Sequence, residues 1–235
     1  MSSDSHFGIP IIELPTNSKD LDGGSDEWRS LCKSVREACE NHGCFQAVIS
    51  FLSTRASDSK MPPVEMEELN HVIGLTIIDG YGLGEKREWL MKDYQLRRVM
   101  KYSAPPSGEY TNVVSAHTDK LCSALLCEDG ISGLEIETKD GEWVKLCMPP
   151  GTFVFIYGDL LNAWSNGRMH AVNHRVMLRR NEYRYSLGTF AVPVKGTIIK
   201  AAKEMVDEEH PRVFKDTDFM DSEAVLICCS TQKLS

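Results

Sequence analysis

From residue 97 to about residue 195 the chain is a succession of short strand-forming runs broken by turn residues, and this pattern restricts the fold more than anything else in the sequence. Leu134-Glu-Ile-Glu-Thr138 and Trp143-Val-Lys-Leu-Cys147 flank Lys139-Asp-Gly-Glu142, and Asp-Gly between two such runs is a strong hairpin signal. Thr152-Phe-Val-Phe-Ile-Tyr157 is continuously apolar, which suits a strand covered on both faces. His174 to Leu178 and Arg184 to Val192 extend the series. Evenly spaced strands of this kind predict an α+β chain with a mainly β core folded as a double-sheet jelly roll.

The flanks differ in character. Residues 1–53 read as strand, helix, strand: Ile9-Pro-Ile-Ile-Glu-Leu14, then Glu27 to Asn41 with Leu31, Val35 and Ala38 at helical spacing and Gly43 as terminator, then Cys44 to Ser50. Residues 54–96 hold a polar, Pro-containing loop at Ser57 to Pro63 and two short helical stretches, Val64 to Val72 and Glu85 to Arg98, split by Gly80, Gly82 and Gly84. Residues 196–235 open on a short helix over Ala201 to Glu209.

Within the strand-rich region an ordered set of residues carries chemistry: His117-x-Asp119, then His174 after a long gap, then Arg184-x-Ser186. In an extended segment residues i and i+2 share a side, so His117 and Asp119 can reach one metal while Thr118 faces away. Two imidazoles and a carboxylate leave coordination positions open for a co-substrate and O₂, as non-haem Fe(II) oxygenases require. Arg184 and Ser186 also share one side, and a guanidinium beside a hydroxyl matches a carboxylate. Taken alone, His117 and Asp119 read equally well as a turn pair capping a strand; the later residues shift the balance to a metal site. His6, His42, His71 and His210 have no partner at metal spacing, and Asp159 reads as a strand-closing turn residue.

Composition narrows the partners. A net charge of −8 argues against nucleic acid and anionic membranes. No apolar run approaches the roughly 18 residues of a membrane span, and the polar start lacks a signal-peptide pattern, so a cytosolic chain is expected. Its eight cysteines then read as reduced thiols, without paired C-x-x-C spacing for zinc.

At these same residues the chain resembles the plant 2-oxoglutarate- and Fe(II)-dependent dioxygenases, in particular their AOP-like branch. The likeness extends over Ser115 to Lys120, Ile131 to Trp143, Gly158-Asp159, Trp164 to Arg168, His174-Arg-Val176 and Arg184 to Gly188, in family order. It implies a distorted double-stranded β-helix in which His117, Asp119 and His174 ligate Fe(II). It further implies that Arg184 and Ser186 bind the distal carboxylate of 2-oxoglutarate, with Tyr102 contacting the same co-substrate; where many relatives carry Asn two residues earlier, this chain has Met100. His170, four residues before His174, is the competing third ligand, and the block His174-Arg175-Val176 favours His174. The implied reaction consumes O₂ and 2-oxoglutarate, releases succinate and CO₂, and hydroxylates or desaturates a small specialised plant metabolite.

The chain departs from the family in two places. Residues 54–96 are shorter than the usual helical pair, so part of the helical layer is expected to be missing, as in a shortened or spliced form, and the segment after Met220 does not match. An otherwise monomeric chain would then expose apolar surface through which it could associate. The rival readings are a catalytically impaired isoform that binds a partner, and a cupin-like jelly roll with no need of Arg184. Arg184→Lys should weaken 2-oxoglutarate binding while leaving iron affinity nearly unchanged, because an ammonium lacks the bidentate fork; equal loss in separate titrations of the two would contradict the assignment.

Overall fold

A computed structural model describes residues 8–15, 24–49, 63–84, 94–103, 109–179 and 183–218. Its centre is a pair of facing sheets. The major sheet runs in the order β1 (Ile11–Glu13), β2 (Cys44–Val48), β8 (Thr152–Tyr157), β5 (Ser123–Glu128), β10 (Arg184–Val192), β3 (Tyr94–Tyr102). The minor sheet runs β4 (Thr111–His117), β9 (His174–Leu178), β6 (Leu134–Glu137), β7 (Trp143–Lys145). From β3 to β6 and from β7 to β10 successive strands alternate between the sheets, and β6 and β7 form one antiparallel hairpin, which is the jelly roll expected from the strand spacing. The Asp-Gly turn behaves as read: Gly141 has φ +83° and donates to the Thr138 carbonyl at 2.9 Å.

All six residues of β8 are buried, because each face of the major sheet is covered. Its inward face places Val154, Ile156 and Ala124 against Leu134, Ile136, Leu146 and Met148 of the minor-sheet side. Its outward face places Phe45, Phe153, Phe155 and Tyr157 against two helices. Helix α1 (Asp26–Asn41) starts where the Ser25 hydroxyl accepts the Trp28 N–H at 3.1 Å, with Asp26 and Glu27 in the positive first turn. Trp28, Cys32, Val35 and Cys39 form its buried face. Helix α2 (Pro63–Gly80) begins with Pro at its first position and packs Met66, Leu69, Ile73 and Ile77 into the same cluster. The two helices are tied by the Trp28 indole donating to Asp79 at 3.0 Å. Where Gly80 faces Cys32, an added Cβ would lie 3.0 Å from its carbonyl oxygen.

Three sequence expectations need correction. The helix expected over Val64 to Val72 continues to Gly80, since Ile73, Ile77 and Ile78 keep the buried stripe going past Val72. The helix expected over Glu85 to Arg98 is contradicted from Tyr94 onward, where nine residues pair antiparallel with β10; residues 85–93 lie outside the described residues. Between residues 201 and 209 only one 3₁₀ turn forms, Lys203–Met205. There the backbone is held from outside: the Ala202 N–H donates to the Trp164 carbonyl, and the Asn166 amide nitrogen lies within 3.3 Å of the Met205, His210 and Pro211 carbonyls. The loop read at Ser57 to Pro63 falls outside the described residues except for Pro63, as does the tail beyond residue 218. No helix among the described residues is long and apolar enough to cross a membrane.

Asn166 itself has φ +56°, in the left-handed region that Asn tolerates better than most residues, and its side-chain oxygen accepts the Val213 N–H at 2.9 Å. It follows the helix α3 (Asp159–Trp164) and pins the C-terminal segment to that helix. Asn166→Ala should therefore lower stability by about 1–3 kcal/mol, through lost hydrogen bonds and φ strain. Denaturant unfolding measures this, and an unchanged midpoint would contradict the pinning role.

Candidate metal centre

Strand β4 bulges twice against β9, between Asn112 and Val114 and again before His117, and ends with His117 directly across from His174, the first residue of β9. Cross-strand neighbours lie close enough for their side chains to touch. The two imidazoles stand 4.3 Å apart, centroid to centroid. Asp119, two residues past the strand end, places Oδ1 3.7 Å from His117 Nε2 and 3.9 Å from His174 Nε2. The three donor atoms lie within 4.8 Å of one another, a group that can hold one metal ion.

The surroundings of these donors fit a cation. Each histidine directs Nδ1 at a backbone carbonyl, His117 at Ser115 (2.8 Å) and His174 at Val172 (3.4 Å), which leaves Nε2 to face the centre. Burial pushes the His174 pKa below the ordinary 6.5, against the pull of the Asp119 carboxylate, so the ring is neutral and able to ligate near neutral pH. Oδ2 of Asp119 is buried with no hydrogen-bond partner among the described residues. A buried carboxylate oxygen left without a donor is costly unless a cation takes that place.

The loop carrying Asp119 is fastened by the start of α3. The Asp159 N–H donates to the Asp119 carbonyl at 2.7 Å, and the Gly158 N–H to the Cys122 carbonyl at 2.9 Å. Thr118 donates its hydroxyl to the Asp159 carboxylate at 3.2 Å; burial raises the Asp159 pKa and that hydroxyl offsets part of the rise. A Cβ at Gly158 would lie 2.0 Å from the Leu121 carbonyl oxygen, so only glycine permits this approach. His170, in contrast, lies outside the strand that begins at His174; its N–H donates to the Cys39 carbonyl behind Gly43, and it does not join the donor group.

Arg184, Ser186 and Gly188 alternate on the face of β10 that also carries Phe190, which packs between the sheets. Arg184 is buried, donating Nε–H to the Ile131 carbonyl (2.9 Å) and Nη2–H to the Glu128 carboxylate (2.9 Å). Its Nη1 is buried with no partner among the described residues, an opening for an anion. Tyr102 pairs with Arg184 across β3 and β10, with its ring 5.0 Å from the guanidinium carbon, and donates its hydroxyl to Met100 Sδ at 3.4 Å. Met100 is the cross-strand partner of Ser186. Gly133 makes room for Arg184, since a Cβ there would sit 3.1 Å from its Cδ and Nε.

The chain is similar to known proteins over most of its length. The sequence profile of the 2OG-Fe(II) oxygenase superfamily matches residues 94–193. A probable 2-oxoglutarate-dependent dioxygenase of Arabidopsis thaliana, AOP1, is 37% identical over 289 aligned positions that cover 92% of this chain and 95% of the relative. The chain belongs to the 2OG-Fe(II) oxygenase superfamily. Like the AOP relative, it is a 2-oxoglutarate-dependent dioxygenase, working with Fe(II), 2-oxoglutarate and O₂. Because 289 aligned positions exceed the 235 residues available, this oxygenase lacks internal sequence that the relative has. Solved structures share its fold: the rice dioxygenase for auxin oxidation (23% identical, TM-score 0.75, covering 94% of this chain and 96% of that one) and the 2-oxoglutarate complex of AtDAO1, dioxygenase for auxin oxidation 1 from Arabidopsis thaliana (21%, TM-score 0.71, covering 87% and 100%).

Glu128, Gly133 and Gly158 escaped assignment in the sequence, although Gly133 and Gly158 sit inside the blocks that carry the resemblance. Two glycines give no chemical signal, and Glu128 looks like an ordinary acidic strand end. Gly158→Ala should displace the Asp119 backbone and weaken metal affinity about 10- to 100-fold, the range typical of lost supporting contacts. Titration of the folded variant with Fe(II) measures this, and wild-type affinity would contradict the fastening role.

Proposed function

We propose that this oxygenase holds Fe(II) through His117, Asp119 and His174, and the distal carboxylate of 2-oxoglutarate through Arg184 and Ser186, in order to oxidise a small plant metabolite. The observation that carries the reading is a pair of buried polar atoms without a partner among the described residues, Asp119 Oδ2 and Arg184 Nη1, one suited to a cation and the other to an anion. When bound, the iron and co-substrate supply O₂ activation coupled to oxidative decarboxylation, giving succinate and CO₂.

The chain's own residues orient and enclose. Nη1 and the Ser186 hydroxyl receive the distal carboxylate, and the Tyr102 ring flanks the guanidinium as a wall. Phe190, Leu126 and Ile136 pack between the sheets and keep that interior dry, which strengthens every charge contact within it. His117 is the exposed ligand, with 43% of its side chain accessible, so the substrate approaches the centre from its side. Hydroxylation and desaturation both begin with a C–H bond presented to the centre, and the geometry around His117 serves either.

Support for a small-molecule substrate comes from the net charge of −8, which disfavours polyanions, and from fold relatives named for auxin oxidation. Internal sequence absent relative to AOP1 favours a second reading, an impaired isoform that binds a partner instead of turning over. Turnover of 2-oxoglutarate without added substrate separates the two. The enzyme reading expects slow succinate formation that requires Fe(II) and disappears in His174→Ala; no succinate from folded, iron-loaded protein would favour the second.

A further inference from the structure

The buried ion pair between Arg184 and Glu128 is unusual for a site that must bind an anion. The Glu128 side chain is 0% exposed and that of Arg184 is 3% exposed. Glu128 Oε2 lies 2.9 Å from Arg184 Nη2, and Oε1 accepts the Met148 N–H at 3.2 Å. Glu128 is also the cross-strand partner of Ser186. A carboxylate of the chain itself therefore stands among the groups that meet the co-substrate carboxylate. Nε and Nη2, the edge an arginine uses for side-on pairing, are taken by Ile131 and Glu128, which leaves Nη1 as the nitrogen without a partner among the described residues.

We propose that Glu128 is a specificity-determining residue of the co-substrate site, a built-in competitor for Arg184 that sets how tightly the distal carboxylate of 2-oxoglutarate is held. The inference rests on the reading of Arg184 as that carboxylate's site. An incoming carboxylate shares one guanidinium with a like charge that water does not screen, and the repulsion lowers affinity. Glu128 also fixes the guanidinium in place, which a purely structural role would explain equally well. The two roles predict opposite signs: loss of a scaffold weakens binding, whereas loss of a competing charge strengthens it.

The test compares 2-oxoglutarate with pyruvate, a 2-oxo acid that lacks the distal carboxylate, by anaerobic calorimetric titration of Fe(II)-loaded protein. Wild type should prefer 2-oxoglutarate. Glu128→Gln should bind 2-oxoglutarate roughly tenfold more tightly, with pyruvate changed less than about twofold. Glu128→Met, neutral and of similar length, provides a second variant should the first fail to fold, with the same expectation. A folded neutral variant that binds 2-oxoglutarate no more tightly, in a protein that still prefers it to pyruvate, overturns the role of Glu128 and leaves the Arg184 site standing. A wild-type protein that does not distinguish the two acids overturns the Arg184 reading and this proposal together.

Discussion

The antiparallel pairing of β4 with β9 is the contact on which the metal centre depends. His117 ends one strand and His174 begins the other, and only the observed register sets them opposite each other. Side chains alternate along a strand, so a slip of one residue would turn His174 outward and bring Arg175 into its place. The bulges in β4 absorb the length mismatch between the strands before His117. Asp119 then needs only a short loop to reach the same point, and that loop is held by the first residues of α3. A site made from two strands and one fastened loop is held where the donors converge, and is exposed on the His117 side.

Charge in the interior is arranged in the same way. Burying a guanidinium and a carboxylate together costs several kcal/mol of desolvation per ion, repaid only by close geometry and further hydrogen bonds. Ile131, Glu128 and Met148 supply those bonds on three sides, and Gly133 gives up its side chain so that Arg184 can lie flat. Such a pair adds little to stability, and its carboxylate lies across from Ser186 on the neighbouring strand. The helices α1 and α2 cover the outward face of the major sheet.

Much of this was legible in the sequence because the signals were local and periodic. Most of the strands, the Asp-Gly hairpin and α1 follow from alternation, apolar runs, turn chemistry and helical spacing. The candidate ligands were legible from their order along the chain. What the sequence hid were matters of distant pairing. Residues 94–98 carry helix-compatible residues, yet become strand because β10, far along the chain, offers nine paired positions. His170 and His174 share a side only if one strand spans both, and the strand begins at His174. Glu128 is indistinguishable from a solvated acid until the second sheet closes over it. Asn166 and the C-terminal segment likewise meet only in the folded chain.

The metal donors and the Arg184 pocket are the two halves of the proposed site, and its function requires both to be assembled in this chain. Anaerobic addition of Fe(II) followed by 2-oxoglutarate, with the visible spectrum recorded at each step, tests it most directly. The expected result is a weak charge-transfer band that appears only when both are present and is lost in His174→Ala. A folded wild-type protein that binds Fe(II) yet gives no band at saturating 2-oxoglutarate would contradict it.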